Sequence, residues 1–189
     1  MAYARAFAEG QDFEQFLEAT EANRALWHAM ARRAPSVEPA VRRIAAVPGP
    51  WRLLVLADDW CGDAVNSLPL IHRLASGAGN VELRIVGRED HPGLMERHLT
   101  NGSRSIPVVI LLDASGTARG WWGPRPEPLQ EWVVKVGRLL PSEERYREVR
   151  RWYARDRGAT IAHEIAILIE CGVAAQPVSE APCHEVRAA

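Results

Sequence analysis

The sequence predicts an α/β fold: a central mixed four-stranded sheet flanked by helices, with helical extensions at both ends. Three observations predict it. After Arg52, the stretch from Trp51 to Ala57 is nearly continuous apolar sequence, the pattern of a strand covered on both faces. Val81, Leu83 and Ile85 alternate with Glu82 and Arg84, as in a strand with one face exposed. Ile106 to Leu112 is a second buried run, and Ala118 to Trp122 follows close enough to pair back on it. The order β-α-β-α-β-β-α makes the strands of the two β-α units parallel by right-handed crossover, and the hairpin adds antiparallel strands.

The elements follow in chain order. Phe13, Phe16, Leu17, Trp27 and Met30 recur at helical spacing and predict one amphipathic helix over 12–33. A short helix follows Ser36, its expected N-cap, with Glu38 in the first turn and Val37, Val41 and Ile44 on one face. Pro48-Gly49-Pro50 stops it. A helix from Gly62 to about Ser76 buries Val65, Leu68 and Leu74, with a kink at Pro69. Asp90 is the expected cap of a short helix through His98, which Asn101-Gly102-Ser103 ends. Pro126 to Leu140 reads as a helix with Leu129, Trp132, Val133, Val136 and Leu140 inward. Residues 142–172 form a helical annex broken at Gly158, with Tyr146, Val149 and Trp152 on one stripe and Ile161, Ile165, Leu168 and Ile169 on another. The expected organisation is a single domain over 1–189: an N-terminal helical extension (1–48), a core (50–140), the annex (141–172) and a loose tail (173–189).

Composition narrows the class. Hydrophobic content of 47% and charged content of 25% are those of a globular protein, and a net charge of −1 supplies no bulk field for nucleic acid or acidic membrane. No apolar run has the length of a membrane span, and residues 1–11 do not read as a signal peptide. Three cysteines, an odd number, do not suggest a disulfide framework, so a reducing cytoplasm is the expected compartment.

The chemistry concentrates at Trp60-Cys61-Gly62-Asp63-Ala64, where a strand hands over to a helix. A cysteine in the first turn of a helix faces unpaired backbone N–H groups and the positive end of the dipole, and both favour the nucleophilic thiolate. Asp58, Asp59 and Asp63 oppose this, because like charge raises a thiol pKa. Each effect is on the order of 1 kcal/mol, so the net direction stays open. Arg104, on the loop before Pro107, would restore a positive field if it points inward, and Ser103 and Ser105 stand beside it.

Other residues complete a pattern. Pro69 falls eight residues after Cys61; Ser105-Ile106-Pro107-Val108-Val109 leads into a strand; Leu111 to Thr117 reads as a hairpin turn; Gly123 closes the last strand. Over residues 50–140 this resembles the thioredoxin superfamily, and within it the bacterial thioredoxin-like proteins that carry WCGDA where thioredoxins carry WCGPC. The resemblance implies a cis peptide at Ile106-Pro107 that turns the Ile106 N–H and C=O toward Cys61, an edge on which an extended substrate pairs by strand addition. It makes Cys61 the nucleophile, with Trp60, Gly62, Asp63, Ile106, Pro107 and Arg104 as candidate substrate-binding residues. Two departures stand out. Ala64 replaces the second cysteine, and Val55 occupies the place of the buried acid that many thioredoxins carry six residues ahead of the first cysteine. A mixed disulfide at Cys61 then has no local resolving thiol.

The implied function is monothiol thiol–disulfide exchange with a protein or peptide disulfide, with glutathione as a possible co-substrate and no other cofactor. Release would come from glutathione, a substrate thiol, Cys171 or Cys183; Cys171 reads more simply as buried packing and Cys183 as an unselected exposed thiol. The alternative is a non-catalytic binding or redox-sensing module. An iron–sulfur carrier like the monothiol glutaredoxins ranks behind both, for want of their CGFS motif. No metal is expected: Asp58, Asp59, Cys61 and Asp63 lack a histidine at ligand spacing. His163-Glu164 reads as an exposed helix face and His91 and His98 as surface residues, while Trp121-Trp122-Gly123-Pro124-Arg125-Pro126 reads as a corner packing the sheet edge against the annex, with a partner surface as the other reading.

Overall fold

The computed structural model describes residues 2–35 and 37–173. Its elements are α1 (Ala2–Glu9), α2 (Phe13–Ala19), α3 (Arg24–Arg33), α4 (Glu38–Ala45), β1 (Trp51–Leu56), α5 (Gly62–Ala78), β2 (Val81–Val86), α6 (Pro92–Met95), β3 (Val108–Leu112), β4 (Ala118–Trp122), α7 (Glu127–Lys135), α8 (Ser142–Asp156) and α9 (Ala159–Gly172). The sheet order is β2-β1-β3-β4. β1 pairs parallel with β2, Val55 opposite Ile85, and antiparallel with β3, Val55 opposite Val109. β3 and β4 form the antiparallel hairpin, with an irregularity at Leu111/Leu112.

Alternation along β1 assigns the layers. Trp51 lies on one face with Leu53 and Val55, and there α9 comes so close that a Cβ on Gly172 would sit 2.4 Å from Leu111 Cδ2. Arg52 lies on the other face, its guanidinium 5.4 Å from the Phe7 ring of α1. Helices therefore cover both faces, and Leu53, Leu54, Leu56, Ile110 and Leu111 are fully buried between them. Each such side chain contributes about 1.5–3 kcal/mol of burial. The free edge of β2 takes one bridge from the N-terminal segment: Gln11 N–H donates to Ile85 O at 2.9 Å and Ile85 N–H to Gln11 O at 2.8 Å.

Several elements differ from their predicted form. The single helix expected over 12–33 is two, because the Asp59 carboxylate takes the backbone N–H groups of Glu21 and Ala22 at 2.7 and 2.8 Å and turns the chain there. Asn23 adopts a left-handed conformation at that turn, with φ 55°. Residues 2–9, assigned no element, form α1. Ser36 lies outside the described residues, and Val37 occupies the N-cap of α4. Asp90 does not cap α6; its carboxylate accepts from Gly87 N–H at 3.0 Å, and His91 is the N-cap. After α7 a 3-10 turn at Gly137–Leu139 intervenes, leaving Val136 exposed rather than inward. In α8 the inward aromatic is Tyr153, and Tyr146 faces out. His98 is buried, edge-on to the rings of Tyr3 and Trp121. Glu164 is half-buried, accepting from Trp122 Nε1 at 2.6 Å and Glu127 N–H at 2.9 Å, which ties α9 to the β4–α7 corner. Cys171 is half-buried, and Cys183 and residues 174–189 lie outside the described residues.

Candidate active site

Cys61 is the N-cap of α5. Its backbone is extended (φ −79°, ψ 117°), its carbonyl accepts from Val65 N–H at 3.1 Å, and its Sγ accepts from Ala64 N–H at 3.5 Å. The thiol donates across the site to Ile106 O at 3.3 Å. Ile106 and Pro107 are joined by a cis peptide. Behind them Gly123 has φ +130°, and a Cβ there would sit 2.2 Å from Pro107 O, so only glycine lets the β4–α7 corner close against this loop.

Three carboxylates flank Cys61 in sequence, and the structure sends them to different tasks. Asp58 accepts from Arg88 N–H at 3.2 Å. Asp59 holds the α2–α3 turn, and its carbonyl accepts from Trp27 Nε1 at 2.8 Å. Asp63 is buried: Arg125 Nη2 lies 2.5 Å from its Oδ2, and Tyr153 donates to its Oδ1 at 3.0 Å. Arg125 comes from the β4–α7 corner, where its Nη1 also donates to Gln130 at 3.0 Å, and Tyr153 comes from α8. Burial pushes the Asp63 carboxyl up, and Arg125 and Tyr153 offset part of that rise. Burial likewise holds the Tyr153 phenol above its ordinary value, with the Asp63 charge adding to it.

Cys61 is only 6% exposed. Its pKa lies above the ordinary thiol value, chiefly from burial. The Ala64 N–H pulls it down, the Asp63 carboxylate pushes it up, and the Asp63 N–H and Arg125 pull it down. The direction left open by sequence is thus upward, because loss of solvent outweighs the helix start.

Cys61, Trp60, Gly62, Asp63, Ile106 and Arg104 line one cleft of about 440 Å³. Trp60 is 52% exposed, with Arg88 5.1 Å from the centre of its ring. Pro107 is buried and outside the cleft lining, so any part it plays runs through Ile106. Arg104 does not serve the thiol; its Nε donates to Glu96 at 2.7 Å and its Nη1 lies 3.6 Å from Glu89. The positive charge that acts on Cys61 is Arg125. Sequence reasoning named Arg125 only as part of an aromatic corner and missed Tyr153, and no local pattern marks either residue. Leu26 of α3 and Tyr146, Val149 and Arg150 of α8 complete the cleft, so both helical extensions form its walls. Among the described residues no group of three or more His, Cys, Asp or Glu side chains is placed to hold a metal, and no helix is long and apolar enough to cross a membrane.

Residues 10–147, most of the chain, match a family model described as thioredoxin. The chain belongs to the thioredoxin family. Two solved structures share the thioredoxin-like fold. One is a protein of unknown function from Pseudomonas aeruginosa, 20% identical, covering 90% of this chain and 98% of its own, with a TM-score of 0.71. The other is an HIV epitope-scaffold protein, also 20% identical with the same coverage and a TM-score of 0.70. None of the curated proteins compared matches this family member.

Proposed function

We propose that this thioredoxin-family chain is a monothiol protein that captures a protein or peptide disulfide at Cys61, and that the helices outside residues 50–140 belong to the same working unit. One observation carries the reading. The sulfur of Cys61 sits at the α5 N-cap, 3.3 Å from Ile106 O, and both residues line a cleft of about 440 Å³. In the reaction Cys61 loses its proton to solvent, and the thiolate attacks one sulfur of the partner disulfide. That S–S bond breaks, the other partner sulfur leaves as a thiolate and takes a proton from solvent, and a mixed disulfide remains. A second thiolate, from glutathione or from the substrate, must attack the mixed disulfide to return Cys61, since Ala64 supplies none.

The raised thiol pKa shapes the kinetics. A small thiolate fraction makes capture slow at neutral pH. A high-pKa thiol is also a poor leaving group, so the mixed disulfide at Cys61 is long-lived. The same hydrogen bond to Ile106 O favours a second reading, a binding module whose thiol stays protonated and silent.

The test is acid-quenched trapping. The protein is mixed with a peptide disulfide at pH 7 and at pH 9.5, and adducts are read by mass spectrometry. Adduct on Cys61, forming faster at the higher pH and absent in Cys61→Ser, supports exchange. No adduct at either pH leaves only the binding module.

A further inference from the structure

The walls of the cleft say more about its occupant than the thiol does. Four arginines line it, Arg88, Arg104, Arg125 and Arg150, against one carboxylate, Asp63, which Arg125 already neutralises. The carboxylates that hold three of these arginines lie in or beside the cleft, so what matters is which guanidinium is left without a partner. Arg88 and Arg104 are engaged with Asp58, Glu89 and Glu96 at the rim. Arg150 is different: it is exposed on α8, and among the described residues its guanidinium has no ion pair or side-chain hydrogen bond. Arg125 is already committed, its Nη2 to Asp63 and its Nη1 to Gln130. An exposed, unpaired guanidinium on the cleft wall is complementary to a carboxylate.

Apolar groups stand beside these charges. Leu26, Trp60 and Tyr146 are 45%, 52% and 53% exposed, and all three line the same cleft. They come from α3, the Cys61 loop and α8, so three different elements each bring an apolar group to the cleft.

From this charge complementarity, and resting on the exchange reading above, we infer that the partner captured at Cys61 is an acidic extended peptide segment. An apolar side chain of that segment lies against Trp60 and Tyr146, and a carboxylate pairs with Arg150. Arg150 is then a specificity-determining residue supplied by the C-terminal annex. The acidic segment is selected before any bond changes at sulfur.

Binding to full-length Cys61→Ser, which cannot exchange, tests this separately from the chemistry. The probes are two short peptides, each with a central S-methylcysteine and one flanking Phe, which differ only in Asp and Glu replaced by Asn and Gln. The acidic peptide should bind tighter by about fivefold for each paired carboxylate, and the preference should shrink with added salt. Arg150→Glu should abolish the preference and Arg150→Lys should keep part of it. Arg138→Glu, the same charge change on an exposed residue outside the cleft, should leave it intact. Equal affinities for the two peptides, or a preference unchanged by Arg150→Glu, overturns the inference. Oxidised glutathione competing as tightly as the acidic peptide overturns a peptide occupant in favour of a small anionic disulfide. With the disulfide forms of the peptides and wild-type protein, an acidic preference without any adduct would sink exchange and sustain acidic docking. Equal adduct formation without a preference would do the reverse.

Discussion

Asp59 and Asp63 stand two residues on either side of Cys61, and each anchors one helical extension by a different physical means. Asp59 holds the N-terminal side with backbone donors, the N–H groups of Glu21 and Ala22, in a partly solvated turn. Asp63 holds the C-terminal side with a buried charge, between Arg125 and Tyr153. A partly solvated carboxylate can fall back on water when it loses a partner, whereas a buried one cannot. The two anchors therefore differ in how much they lose when broken, although both brace the same thiol loop.

The largest effect should follow Arg125→Ala, which leaves Asp63 buried without its counter-charge. A loss of about 3–5 kcal/mol is expected in urea unfolding. Asp59→Ala should come next, at about 2 kcal/mol for two charge-assisted hydrogen bonds in a wetter setting. Limited proteolysis should then cut near the α2–α3 turn sooner than in the parent. If Asp59→Ala costs more than Arg125→Ala, burial is not what separates the two sides. Tyr153→Phe removes one of the hydrogen bonds to Asp63 and should cost about 1.5 kcal/mol.

The smallest effects are those of pH, and they sharpen the contrast by their sign. Burial raises the folded-state pKa of Asp63. Its contribution to stability is fully present below the ordinary Asp value near 3.9 and is lost as pH rises through the raised value. Asp63→Asn should remove that decline and, by deleting a neighbouring negative charge, move the midpoint of Cys61 alkylation to lower pH. Asp113 gives the opposite case. Burial pushes it up, but Ser115 Oγ, the Thr117 N–H and Arg119 outweigh that and bring it down to about 2. Its contribution is present above the ordinary value and lost as pH falls toward 2, so Asp113→Asn should flatten the acid side of the stability profile. Unfolding followed at closely spaced pH values separates the two, and a common sign would contradict the assigned environments.

What could be read from sequence divides along the same line. The sheet and the start of α5 at Cys61 follow from local signals, apolar runs and a strand-to-helix turn, while the approach of Ile106 to the thiol is implied only by the family resemblance around Pro107. The break between α2 and α3 does not, because Thr20 to Asn23 contains no glycine or proline and the helical periodicity runs through it; Asp59 makes the turn from 37 and 38 residues away. The fate of Asp63 depends on Tyr153, 90 residues along the chain, so its pairing has no local trace. Arg104 looked like the cation for the thiol because it neighbours Pro107 in sequence, yet Glu96 and Glu89 claim it. Side-chain pairing at this site is decided by which elements are packed together, and that is set by long-range contacts.

The bridge between Gln11 and Ile85 has a consequence for how molecules of this protein meet one another. A bare strand margin is a template on which another chain can lay its own backbone. By occupying both the N–H and the C=O of Ile85, Gln11 interrupts that template near the C-terminal end of β2, so the N-terminal extension guards against sideways aggregation as well as walling the cleft.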